Sequence, residues 1–140
     1  MTQTTQKGVP KALRTWFVIH FVADVVFALP LFVAPRAFLG MLGWNEVDPL
    51  ATRMVAAALF GIGIQSLLGR NEGAETFRGM LNLKIIWAST ATLGILASIA
   101  QGAPTMAWAF AGIFAGFGGI WAYWRRHLAQ EARNRSRDDA

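Results

Sequence analysis

The sequence predicts an all-α membrane protein: four transmembrane helices in an antiparallel bundle, with both termini cytoplasmic. Three observations carry this. Forty consecutive residues, Ile85 to Trp124, hold no charge. As one helix they would be roughly 60 Å long, about twice the hydrocarbon core of a bilayer. They must fold back, and Gln101-Gly102-Ala103-Pro104 is the turn signal inside them. Second, the 140-residue chain is 54% hydrophobic and 15% charged, more apolar than a soluble domain of this size can bury. Third, four spans put Lys7, Lys11, Arg14, Arg70, Arg78, Arg125, Arg126, Arg133, Arg135 and Arg137 on one side, against Arg36 and Arg53 on the other. Ten against two places that richer side in the cytoplasm.

The chain is one integral membrane domain, with spans over about 12–33, 50–68, 77–100 and 104–125 and a polar C-terminal tail over 126–140. Thr2 to Gly8 is a polar lead without a cleavage pattern behind it, so the first apolar run reads as a retained span. That span starts after Pro10 and is ended by Pro30 and Pro35. At 100° per residue, Phe17, His20, Asp24, Phe27 and Leu31 share one side of it. Val18, Val22, Val25, Leu29 and Val33 share the other, which suits lipid.

Ala34 to Pro49 is a connection whose Phe38, Leu39, Trp44 and Arg36 belong at the interface. Asp48-Pro49 opens the second span. Arg53 stands at its outer end, an anchor or an outer-side binding candidate. Ala57, Gly61 and Gln65 follow at four-residue spacing, where small residues let a neighbouring helix approach. Gly69 to Thr76 is an aqueous loop.

In the third span Lys84 shares a face with Ala88, Ala91 and Ile95, while Asn82 points away. The fourth span divides into a face with Gly112, Gly116 and Gly119 and a face with Phe110, Phe114, Phe117, Trp121 and Trp124. The glycine side reads as a close helix–helix contact, within the subunit or across an interface, and the aromatic side as lipid-facing or intersubunit. Arg125 to Ala140 continues as a helical tail that frays. No internal repeat is evident, which argues against an inverted-repeat transporter.

The absence of cysteine removes thiol–disulfide exchange, thiolate metal sites, iron–sulfur clusters and covalently attached haem. No cofactor and no metal site are expected, because one intramembrane histidine and one carboxylate are too few ligands. The net charge of +5 lies beside apolar runs, so its expected partner is anionic lipid and not nucleic acid.

Asp24 is the most informative residue. It lies about ten residues, roughly 15 Å, from Arg14, close to the bilayer midplane. A carboxylate there must be paired, hydrated or protonated. Lys84 is its candidate partner, six residues past Arg78 and within reach if the first and third spans are neighbours. His20, one turn from Asp24, can share the pair, and Gln65 reaches similar depth. The expected cluster is therefore His20, Asp24, Gln65 and Lys84.

Three readings compete for it. In one it neutralises buried charge and fixes helix register. In the second, Asp24 titrates and His20 relays along a proton or ion path. In the third it binds or converts a lipophilic ligand entering from the bilayer, with Asp24 or His20 as general base.

Pro35-Arg36-Ala37-Phe38-Leu39, Asp48-Pro49-Leu50-Ala51-Thr52-Arg53, Gly61-Ile62-Gly63 and Leu83-Lys84-Ile85 give the chain a resemblance to small uncharacterised four-helix bacterial membrane proteins related loosely to the DoxX group. It covers about Arg14 to Arg126. It implies a four-helix bundle in a bacterial inner membrane and no firm activity. The chain lacks the charged, asparagine-bearing helix of glutathione-linked membrane enzymes, and it is longer than the small multidrug exporters. The expectation is a small polytopic protein without hydrolytic or redox chemistry. It would transport protons or a small solute, hold an assembly together as a homo-oligomer or with other membrane subunits, or take a lipophilic ligand.

Overall fold

A computed structural model of the chain describes residues 8–138. The polar lead from Thr2 to Lys7 and the last tail residues, Asp139 and Ala140, lie outside the described residues. Among the described residues there are five α-helices, one short 3-10 turn and no strand. Four helical stretches are long and apolar enough to cross a membrane: Lys11–Val33, Pro49–Asn71, Ala74–Ala100 and Met106–Arg137.

Helix α1 spans Lys11–Val33 and starts from Pro10, whose carbonyl accepts the amides of Leu13 and Arg14. Pro30 does not end this helix but lies inside it. A proline costs the helix one amide donor, yet the chain continues helical for three more residues and the Ala34 amide returns to the Pro30 carbonyl at 3.0 Å. The break comes at Ala34, because Pro35 restricts the residue before it.

The connection is partly helical. Helix α2, Pro35–Met41, has proline at its first position, where no amide is needed. Gly43, at φ +99, closes it in the left-handed region, and the Trp44 amide bonds the Leu39 carbonyl at 3.0 Å. This turn sends Trp44 back onto the bundle, with its ring 5.9 Å from Phe110.

Helix α3, Pro49–Leu68, is capped by Asp48, whose Oδ1 accepts the amides of Leu50 at 2.8 Å and Ala51 at 3.3 Å. A 3-10 turn over Gly69–Asn71 leads into helix α4, Ala74–Ala100, which begins in what the sequence reads as aqueous loop. There Arg14 donates to the Arg70 carbonyl and, at 3.4 Å, to the Glu72 carbonyl, tying the start of α1 to this turn. Helix α5 runs unbroken over Met106–Asp138, so the polar tail continues it as helix through the last described residue.

Helices α1 and α3 pack along each other, as do α4 and α5. One core cluster joins both pairs through Leu13, Phe17, Phe77, Leu81, Trp121 and Leu128. A smaller one gathers Ala28, Ala56 and Leu59 with half-buried Phe27 and Trp87. Val18, Val22, Leu29, Met54, Ile64, Ile86 and Leu93 are exposed, an apolar exterior suited to lipid.

Candidate functional site

The α1 face that sequence periodicity selects does turn inward: His20 is 7% exposed and Asp24 6%. One turn apart on a helix, their side chains meet, and His20 Nδ1 lies 2.9 Å from Asp24 Oδ2. From α4, Lys84 extends its ammonium to 2.9 Å from the same His20 Nδ1 and donates to the Ser66 hydroxyl of α3 at 2.7 Å. The Ser66 hydroxyl donates to the Ile62 carbonyl at 2.6 Å, so its oxygen is free to accept from Lys84. Three helices thus share one buried polar cluster.

Aromatic rings complete its walls. Lys84 Nζ lies 5.0 Å from the ring centroids of both Phe17 and Trp121, close enough for cation–π attraction. His20 sits edge-on to Phe117 at 4.9 Å and to Trp121 at 5.0 Å. Gly63 of α3 makes room for the carboxylate: a Cβ there would meet Asp24 Cβ at 2.8 Å.

The arrangement is one proton out of balance. Nδ1 offers either a lone pair or an N–H, and it has a neighbour on each side at 2.9 Å. If it accepts from Lys84, Asp24 Oδ2 is left buried with no hydrogen bond. If it donates to Asp24, the Lys84 contact is lost. The carboxylate and the ammonium compete for one nitrogen.

Several expectations change. Among the described residues Asp24 forms no ion pair with Lys84, because the His20 ring stands between them. Gln65 is exposed and outside the cluster; Ser66 occupies the place assigned to it. The buried line of α3 is Thr52, Ala56, Leu59, Gly63 and Ser66, three or four residues apart, whereas Ala57, Gly61 and Gln65 lie outside. Spacing alone marks both lines; only the hydroxyls of Thr52 and Ser66 distinguish the inner one.

Helix α5 is turned opposite to expectation. Its aromatic face packs inward, with Trp121 fully buried. A Cβ on Gly112, Gly116 or Gly119 would have nothing within 4 Å among the described residues, so these glycines make no close helix contact there. Close approach occurs at Gly118, whose Cβ would lie 3.3 Å from that of Ala88. Arg53 is exposed, and its Nε donates to the Phe32 carbonyl at 3.1 Å, satisfying a free carbonyl in the last turn of α1. Asn82 is directed elsewhere and accepts from Arg125 Nε at 2.8 Å.

Between the α1–α3 and α4–α5 pairs lies a cavity of about 810 Å³, with His20, Asp24 and Lys84 among its lining. On α1 no lining residue precedes His20, on α4 none precedes Lys84, and on α5 none follows Trp121. The cluster is therefore the closed end, seated on the Phe17–Phe77–Trp121 core. Away from it the wall is mostly apolar and includes Phe27, Trp87, Phe110 and Phe114, reaching Trp44 and Ser98 at the far end. Trp44 joins the site through the Gly43 turn, which sequence reading does not assign to it. Among the described residues no three His, Cys, Asp or Glu side chains gather as a metal site would need. Comparison of the chain with protein families, with curated proteins and with solved structures gives no match.

Proposed function

We propose that this protein binds a lipophilic molecule inside the membrane, in the cavity between its two helix pairs. One observation carries the reading: an apolar cavity of about 810 Å³ ends on a buried polar cluster of His20, Asp24 and Lys84. A predominantly apolar pocket of this size with a few convergent polar groups is the ordinary form of a small-molecule site. An empty apolar slot would have little use for buried ionisable groups, which are expensive in a membrane. The four spans are read as an antiparallel bundle with cytoplasmic termini, on the strength of the ten-to-two bias in basic residues. The polar cluster then lies near mid-bilayer and the Trp44 end near the outer interface. The outward Gly112–Gly116–Gly119 face of α5 leaves room for a second copy or another membrane subunit.

Native mass spectrometry of protein extracted from its membrane tests this. A lipophile bound one to one, and lost when Ala91→Phe fills the cavity wall, is the expected result. Retention of the same adducts by Ala91→Phe would place them on the outer surface and end the proposal.

A second reading is favoured by the contested nitrogen. Because His20 Nδ1 is 2.9 Å from both Lys84 and Asp24, a small shift of the ring hands a proton from one to the other. Such a step belongs to a proton path, and Asp24→Asn would then abolish proton flux in proteoliposomes while the protein still folds.

A further inference from the structure

A lipophile bound as proposed above would set its head against the polar cluster at the closed end of the cavity. We infer that the cavity takes an uncharged lipophile whose head is a hydroxyl group, donating its hydrogen bond to Asp24. Three observations converge on this.

The first is charge. The titratable side chains lining the cavity are His20, Asp24 and Lys84. One acid, one amine and a neutral imidazole sum to zero, and they still do if the proton moves from Lys84 to Asp24. A carboxylate or ammonium head would add an uncompensated charge to a buried set that already balances, which a low-dielectric site resists.

The second is hydrogen bonding. Lys84 is committed to Ser66 and His20, and its remaining direction faces the Phe17 and Trp121 rings. Asp24 is the group left in need: it is 6% exposed and lines the cavity, its Oδ2 is shut in 2.9 Å from the contested His20 Nδ1, and among the described residues no hydrogen bond reaches its Oδ1. An acceptor needs a donor. A hydroxyl supplies one, whereas a ketone, ester or ether does not.

The third is direction. Along α1 the lining runs from His20 to Leu31, and along α4 from Lys84 to Ser98, an axial length of about 16 to 21 Å. The polar end is the deep one. A bilayer lipid keeps its phosphate at the interface and its tails at the centre, the reverse of this slot. A small neutral head can reach the deep end through hydrocarbon, while the tail extends along the aromatic wall towards Trp44.

The test uses the full chain in phosphatidylcholine nanodiscs with a diazirine-bearing tetradecan-1-ol as photoprobe. Labelling is mapped by mass spectrometry and competed by unlabelled tetradecan-1-ol, its methyl ether, tetradecanoic acid or tetradecylamine. Labels are expected on cavity residues such as Trp87 and Phe114. The alcohol should compete best, with the ether about 10- to 100-fold weaker, the worth of one hydrogen bond to a charged group. In Asp24→Leu the alcohol and ether should become equal; should that variant not fold, the same comparison on the unaltered chain decides. Equal competition by ether and alcohol there, or a preference for the acid or the amine, overturns the hydroxyl head and leaves the pocket standing. Uncompeted labelling spread over outward Val22 and Ile86 overturns both.

Discussion

Gly63 and Asp24 face each other so closely that a single added methyl at Gly63 would lie 2.8 Å from Asp24 Cβ and 3.1 Å from its Oδ2. Neither side can yield easily, because both lie on helix backbones already packed together. Gly63→Ala should therefore cost about 1–3 kcal/mol, the usual penalty for overpacking. Gly61→Ala, two residues away with open space around it, should cost nothing measurable. Thermal unfolding in detergent compares the two. Equal melting temperatures would mean that α1 and α3 are not in this contact.

Removing Lys84 leaves Asp24 buried among apolar walls with only His20 to answer it. Lys84→Met should destabilise by about 3–5 kcal/mol, as leaving a buried charge uncompensated does. Adding Asp24→Asn to that variant should recover part of the loss, since the stranded charge is gone. The sign of the coupling in a double-mutant cycle is decisive. Purely additive losses would show that the two groups do not sense each other across the His20 ring.

Ser66 and Gln65 make a sharper pair, being adjacent and both polar. Ser66→Ala deprives the Lys84 ammonium of an acceptor at 2.7 Å and should cost about 1–3 kcal/mol. Gln65 is exposed, so Gln65→Ala should stay within about 0.5 kcal/mol of the parent. Chemical denaturation of the two variants in one detergent reads the difference. A larger loss for Gln65 would restore the cluster expected from spacing.

That pair also shows where sequence periodicity stops being informative. On α1 the turn is legible because polar His20 and Asp24 stand four apart beside Phe17, against a plain valine face. On α3 both faces are small and apolar, so rotating the helix by one residue changes little until Lys84 arrives from α4 to select Ser66. On α5 the ambiguity is complete. Lipid tolerates aromatic rings and glycines equally, because a membrane is as apolar as the protein core. What turns Phe117 and Trp121 inward is the need to wall His20 and Lys84, a long-range demand with no mark in local spacing. The cavity belongs to the same class, since it exists only once four helices and the Gly43 turn are in place.

Orientation can be tested because the chain has no cysteine of its own, so each introduced thiol reports one position. Glu46 and Gln101 lie in the two connections placed outside by the four-span reading, and both are exposed. The same reading puts Gly73 and Ser136 on the side that carries most of the basic residues. Single Glu46→Cys and Gln101→Cys proteins in intact cells should react with a membrane-impermeant maleimide. Gly73→Cys and Ser136→Cys should react only after the membrane is opened. The reverse pattern would turn the protein over and put the Trp44 end of the cavity against the cytoplasm. A mixed pattern, with Glu46 and Gln101 on different sides, would be graver: one of the four apolar helices would then not cross, and the cavity between the two pairs could not lie within the bilayer.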